Sequence, residues 1–390
     1  MTRLCVVSGK ECWEQSPGVW VSTGGFPAQV GAIGSLFDET TLVIVRGRSR
    51  EGAIPLPAAA RVVPLSKPPG RGLFRKLAVV LGLPYYAARI GSAVGHTDVV
   101  YAPLPGDVSF LGFGAALLLR RRLLARYGSS WATTAHTTRM NRVTRLCMRL
   151  FAGDSAVMIA TGEGESPPAR GVEWLYATAL TRRELDGIDA RSDRGLSDPP
   201  RLAYLGRLSP EKGVAVLIRA LARLRDEKFA PLPHAVLIGD GPQRAELETL
   251  ARSLGCEDLL TFAGQLDRGG LSRRLSEVDV CVQPSLTEGH SKAWLDAMAH
   301  GLPVLASEVG AARRVIGEDG ERGWLVPPGE PPALAAQLAR ILTSPRDWPA
   351  LRRRCRAYAD GRTLEAWTRR IGELCALRWQ VRYADGRLWI

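Results

Sequence analysis

Short apolar, β-branched runs recur along the chain, each closed by Gly, Ser or Pro and most followed by a segment with amphipathic helical spacing. RLCVVSG, TTLVIVRG, HTDVVYAP, WATTAH and SAVMIATG read as buried strands in the first half. RLAYLGRL, HAVLIGDG, LLTFAGQ, VDVCVQPS, LPVLASE and GWLVPP do so in the second. Alternation with helical stretches such as VAVLIRALARLRDEK and PQRAELETLARSLG predicts parallel sheets covered on both faces. The polar, Pro- and Gly-bearing stretch 180–201 breaks the alternation and reads as a linker. The expected fold class is α/β, with two doubly wound Rossmann-like domains facing across a cleft lined by strand carboxyl ends. The length of 390 residues suits two cores better than one.

Composition narrows this only a little. With 46% hydrophobic and 23% charged residues, the chain has the make-up of a folded globular protein. The seven cysteines form no CxxC pair and no zinc-type spacing, which points to a reducing cytoplasm. The apolar run in MTRLCVVSGKECW is too short for a signal-peptide core, and FLGFGAALLL falls short of the ~20 residues that span a bilayer. The chain is therefore expected neither to be secreted nor to cross a membrane.

The net charge of +13 is unevenly distributed. No acid lies between Asp107 and Asp154, where Arg120, Arg121, Arg122, Arg126, Arg139, Arg142, Arg145 and Arg149 fall. Such a field attracts phosphates, anionic headgroups or nucleic acid, and an ordinary solvated basic surface accounts for it equally well. No RNP-type motif or finger spacing accompanies the arginines, so a specific nucleic-acid partner is not expected. LLLRRRLLARY and RLCMRLF read as faces able to rest on an anionic membrane surface.

Three segments carry candidate chemistry. In RLAYLGRLSPEKGVAVLIRAL, Gly206-Arg207 ends a strand and Lys212-Gly213 opens a helix, a combination suited to a diphosphate. Taken alone, the two cations fit a plain surface turn at least as well. HAVLIGDGPQRAEL repeats the arrangement at Gly239, Asp240 and Gly241, but lacks the third glycine of GxGxxG, which weakens any dehydrogenase reading. In EGHSKAWLDAMAHGLPV, Glu288 lies in a loop and Asp296 two turns into a helix that Gly301 and Pro303 terminate. Carboxylates accept hydrogen bonds from sugar hydroxyls. Singly, a helix-dipole partner and a solvated helix face also explain these two acids.

The series GRLSPEKG, GDGP, TFAGQ, PSLTEGHSKAWLDAMAHGLPVLAS and ERGWLVPP, over about 201–360, resembles the donor-binding half of family 4 glycosyltransferases, which have the GT-B fold. STGGFPAQV resembles that family's glycine-rich loop, while likeness in the rest of the first half is weaker. The resemblance implies an acceptor-binding domain at 1–185, a donor-binding domain at 200–360, and a helix and tail at 361–390 returning toward the first domain. It implies that Arg207 and Lys212 hold the donor diphosphate and Glu288 the transferred sugar. It further implies that Gly24, Gly25, Gly206, Gly239, Asp240, Gly241 and the stretch Gly289, His290, Ser291 and Lys292 line the donor, with Gln265 at the base. The family's second acid binds the ribose; here it is Asp296, shorter by one methylene and so by about 1.5 Å of reach. His136 corresponds roughly to a histidine near the donor sugar or acceptor, and a structural histidine fits it equally. GAARRVIG places Arg313-Arg314 where many relatives carry a glutamate.

The resemblance further implies retention of configuration, no metal and no cofactor, with a nucleotide-diphosphate sugar, UDP- or GDP-linked, as donor. The expected acceptor is a sugar or a lipid-linked sugar in bacterial surface polysaccharide or glycolipid assembly, with the protein cytoplasmic and peripheral to the membrane. A GT-B epimerase or phosphorylase-like enzyme, or a non-catalytic nucleotide- or nucleic-acid-binding protein, are the alternatives.

Overall fold

The computed structural model describes residues 1–48, 53–67, 69–70, 72–133, 137–190 and 193–390. Two compact units divide it: Met1–Ala179 with Leu364–Ile390, and Leu180–Thr363.

The first unit is built on a parallel sheet in the order Arg61–Leu65, Glu39–Arg46, Arg3–Ser16, Val99–Leu104, Arg122–Tyr127, Ala156–Thr161, Val172–Leu175. Val19–Ser22 and Ile54–Pro55 add an antiparallel edge to the far end of Arg3–Ser16. Strand interiors such as Leu4, Val6, Leu42 and Ile44 are wholly buried, as expected of strands covered on both faces. The helix Leu364–Trp379 belongs to this unit and buries Trp367, Ile371 and Cys375 against it.

One strand lies elsewhere than the sequence suggests. Of WATTAH, Trp131 and Ala132 form bends and Thr133 belongs to no strand, while residues 134–136, including His136, lie outside the described residues. The strand is Arg122–Tyr127, within the stretch read as a membrane-facing surface, and its Leu123, Leu124 and Ala125 are buried. Flanking arginines disguise it. Arg126 satisfies its charge inside the unit, donating from Nε to Tyr101 Oη at 3.0 Å and from Nη2 to Gln29 Oε1 at 3.1 Å. Its guanidinium also lies 5.6 Å from the centre of the Trp367 ring, and a cation over an indole face retains favourable electrostatics away from water.

The second unit carries six parallel strands in the order Leu260–Gly264, His234–Ile238, Arg201–Leu205, Val280–Gln283, Val304–Ser307, Gly323–Val326. The helix Val214–Asp226 buries Val214, Leu217, Ile218, Leu221 and Leu224 on its apolar stripe. The described residues of the stretch read as a linker pack into this unit rather than spanning freely. Its helix Arg182–Asp186 buries Leu185, whose carbonyl accepts from Arg356 Nη2 at 2.7 Å. The fully buried Asp279 accepts from Arg201 N at 2.9 Å and Ser197 Oγ at 3.1 Å, with buried Arg352 at 3.5 Å. A buried carboxylate needs such partners, and here they fix the chain's entry into the sheet.

In each unit the strand order reverses beside the first strand. The reversal falls between Arg3–Ser16 and Val99–Leu104 in one, and between Arg201–Leu205 and Val280–Gln283 in the other. Loops leaving the carboxyl ends diverge at such a point and open a crevice.

Candidate functional site

The site in the second unit is assembled from loops after four adjacent strands. After Leu205 the chain passes Gly206 and Arg207, makes the turn Pro210–Lys212, and enters its helix through Gly213 at φ +63°. A Cβ at Gly213 would lie 2.1 Å from the Pro284 carbonyl oxygen, so only glycine lets the two loops touch. The Glu211 carbonyl accepts from Leu286 N at 2.9 Å, fastening the loop after Val280–Gln283 to the same turn. This contact brings Lys212 and Glu288 together from positions 76 residues apart, and Lys212 Nζ donates to Glu288 Oε2. The other Glu288 oxygen accepts from Gly289 N at 3.1 Å. The side chains of Lys212 and Glu288 are 23% and 14% exposed, so the pair is shielded but within reach of a ligand.

Other charges in the turn are tuned locally. Burial raises the Glu211 carboxyl, but the Ser209 hydroxyl at 2.5 Å, with Lys212 and Arg207, more than reverses this and holds it below the ordinary range. Arg207 is exposed at the rim, and its carbonyl accepts from the buried Tyr204 hydroxyl at 2.8 Å. Burial pushes that phenol up, so it stays a neutral donor supporting the loop.

The predicted glycines have a packing role. At Gly239, φ is +134° and a Cβ would lie 1.9 Å from the Gly206 carbonyl oxygen. Leu208 N donates to Asp240 O at 3.0 Å and Gln243 N to Leu208 O at 3.1 Å, knitting the two loops together. Gly241 approaches the Leu208 backbone in the same way, and its N–H donates to Asp240 Oδ1 at 2.7 Å. Gln265 is exposed just beyond the strand Leu260–Gly264.

Ser291 caps the helix Lys292–Ala299 without a side-chain hydrogen bond. His290 is buried, its ring edge-on to Trp294 with centroids 5.9 Å apart. One turn on, Asp296 takes a different partner from Glu288: Arg268 Nη1 donates to its Oδ1 at 2.8 Å. Arg268 also donates to Glu184, from Nε to Oε1 at 2.9 Å and from Nη2 to Oε2 at 3.3 Å. Neither Arg268 nor Glu184 is marked by the sequence reading; a TxxE capping-box pattern at Thr181 was the available signal for Glu184. His300 closes this side: its Nδ1 lies 2.8 Å from Asp296 O and its Nε2 3.0 Å from Ser272 Oγ, and burial lowers its pKa so that it remains neutral. Arg313 pairs with Glu308 at 2.5 Å on the exterior.

Gly24 and Gly25 lie in the first unit, at the mouth of the helix Phe26–Gly34. A cavity of about 430 Å³ opens in that unit at its own strand-order reversal. Its polar lining includes Ser8, Lys10, Glu11, Lys67 and Asp107, with Lys67 Nζ 2.5 Å from Glu11 Oε1. Phe26 and Tyr86 supply apolar wall. Among the described residues no group of three or more His, Cys, Asp or Glu is placed to hold a metal ion. No helix among them is long and apolar enough to cross a membrane.

Residues 199–344 match the family model described as glycosyl transferases group 1. The chain is 40% identical over 139 residues to an MMP α-(1→4)-mannosyltransferase of Mycolicibacterium hassiacum, covering 35% of this chain and 33% of that one. It is 28% identical over 333 residues to a GDP-mannose-dependent α-(1-6)-phosphatidylinositol monomannoside mannosyltransferase of Mycolicibacterium smegmatis, covering 78% and 84%. The matches to the first curated relatives span only about a third to two-fifths of their length. Anabaena HepE, solved in complex with UDP-glucose, superposes with a TM-score of 0.70 at 20% identity over 97% of this chain and 100% of its own. The group 1 match lies within the second unit, which resembles the group 1 glycosyltransferases, and the structural likeness over nearly the whole length shows the GT-B fold.

Proposed function

We propose that the protein transfers a sugar, with retention of configuration, from a nucleotide-diphosphate sugar to an acceptor hydroxyl. The observation that carries the reading is the Lys212–Glu288 pair at the strand-order reversal of the second unit, beside Arg207 and the start of the helix Lys292–Ala299. A diphosphate entering there meets two cations and helix N–H groups, and it can draw Lys212 away from Glu288 because a lysine pivots on a flexible stem. Glu288 is then left to accept hydroxyls of the sugar. The acceptor oxygen bonds to the anomeric carbon on the face from which the phosphate leaves. The C–O bond to phosphate breaks, and the acceptor proton passes to the departing phosphate oxygen. Arg207 and Lys212 stabilise the charge that develops on that phosphate, and no metal or cofactor is assigned a step.

One relative named above is GDP-mannose-dependent and one structural neighbour was solved with UDP-glucose, which supports a UDP- or GDP-sugar donor. The acceptor is assigned to the first unit, in the cavity lined by Lys10, Glu11 and Asp107 near Gly24 and Gly25. The reading extends to surface glycolipid or polysaccharide assembly at an anionic membrane on the cytoplasmic side. Its support is the helix Arg139–Leu150, where exposed Val143, Leu146 and Leu150 share a side with Arg139, Arg142 and Arg149.

Two measurements test the proposal. Incubation with UDP- and GDP-hexoses and sugar acceptors, followed by NMR of the product's anomeric proton, is expected to show the donor's configuration; an inverted product overturns retention. Sedimentation with anionic vesicles at low salt is expected to carry the protein down, and Leu146→Glu to leave it in solution. Equal recovery with and without vesicles overturns the membrane assignment.

A further inference from the structure

Three facts about the Asp296 side of the site stand together. Arg268 reaches Glu184 with two of its nitrogens and Asp296 with the third. Glu184 is held in turn: its Oε2 accepts from Thr181 N at 2.8 Å and Thr181 Oγ1 at 2.9 Å, completing a capping box on the helix Arg182–Asp186. Asp296 Oδ1 is taken by Arg268, whereas its Oδ2 receives no protein donor among the described residues. The cluster thus has two carboxylates, one cation and a single carboxylate oxygen with its accepting capacity left over.

A three-nitrogen fork between two acids cannot rotate without breaking several charged hydrogen bonds, so it fixes direction as well as charge. Direction matters most for a short side chain. Asp296 lacks the methylene that would give it about 1.5 Å more reach, so it can touch a ligand only if its carboxylate is held at the right angle.

We infer that Arg268 is a positioning residue for the nucleotide's ribose. Through Oδ1 it holds Asp296 so that Oδ2 faces a ribose hydroxyl, and Glu184 steadies Arg268 from behind. The inference rests on the nucleotide-sugar reading above, with Asp296 at the ribose. A second consequence concerns the chain itself: Thr181, Glu184, Arg268 and Asp296 form one continuous run of hydrogen bonds from the first residues of the second unit to the ribose contact.

The test is calorimetric titration of UDP and GDP, and of their 2′-deoxy and 3′-deoxy counterparts, into wild type, Arg268→Met, Asp296→Asn and the double variant. Arg268→Met is expected to weaken the ribonucleotide about tenfold, the effect of one charged hydrogen bond, and to change binding of the deoxy form that lacks the contacted hydroxyl by less than about twofold. In the Asp296→Asn background, Arg268→Met is expected to add nothing. Glu184→Gln, milder for folding, is expected to give the same ribose-dependent pattern at smaller size, and it decides the matter if Arg268→Met does not fold. Equal weakening of ribo- and deoxynucleotides, or additive effects in the double variant, overturns the positioning role and leaves a structural ion pair. If wild type binds no nucleotide at all, the functional reading itself fails, a result distinct from either.

Discussion

The two acids of EGHSKAWLDAMAHG both face a cation, but in opposite ways. Glu288 is met by the flexible ammonium of Lys212 through one oxygen, in a contact between loops. Asp296 is met by the guanidinium of Arg268, which Glu184 locks from the other side. The first pair can be exchanged, since an ammonium on a four-carbon stem turns readily from a carboxylate to a phosphate. The second is fixed by three charged hydrogen bonds and does not turn without breaking them. On the proposed reading, the loose ion pair serves where charge moves during the reaction and the rigid one where a ligand is held.

The largest expected effect breaks the loose pair. Glu288→Gln should lower kcat by roughly 10²–10³-fold, the order seen when a donor or acceptor specific to the transition state is removed, with nucleotide affinity nearly unchanged. Steady-state kinetics beside calorimetry separates the two, and a parallel fall in both makes Glu288 a mere binding or structural residue. Lys212→Met should come next, weakening nucleoside diphosphates by about tenfold or more while sparing the nucleoside. Competition between UDP and uridine, and between GDP and guanosine, reads this directly. Asp296→Asn should weaken the nucleotide by about tenfold and leave turnover at saturating donor close to wild type.

The smallest effect concerns pH and the rigid pair. Burial raises the Glu184 carboxyl, but Arg268 and Thr181 more than offset it and hold its pKa below the ordinary 4.5. A depressed carboxyl pKa contributes stability that is present above the unfolded-state value and lost as pH falls through the folded one. The stability difference between wild type and Glu184→Gln should therefore be constant near neutrality and shrink as pH falls below about 4.5, measured by urea unfolding at several pH values. A difference that persists unchanged into acid contradicts the charged role of Glu184.

The loops around Lys212 and Glu288 are legible as loops in the sequence because their signals are local. Gly206, Lys212-Gly213, Gly239 and the cap at Gly301 each mark a strand end or helix boundary within a few residues. What escaped was settled by distant partners. RLLARY read as a surface because nothing nearby shows that Arg126 will be received by Gln29, Tyr101 and Trp367. Residues 180–201 read as a linker because the partner of the Leu185 carbonyl, Arg356, lies on a helix far along the chain. The Glu184–Arg268 contact joins residues 84 apart, and the TxxE cap predicts only its local half. The glycines of GDGP also changed meaning, since Gly239 and Gly241 are required first by the neighbouring backbone at Gly206 and Leu208.

The central claim, that the second unit holds a nucleotide diphosphate beside Lys212 and Glu288, is tested most directly by thermal unfolding with UDP, GDP and ADP. The account predicts that at least one of them, near 100 times its dissociation constant, stabilises the wild-type protein by ~2.7 kcal/mol and that Lys212→Met removes most of the gain. No stabilisation by any of the three, or an undiminished gain in Lys212→Met, would contradict it.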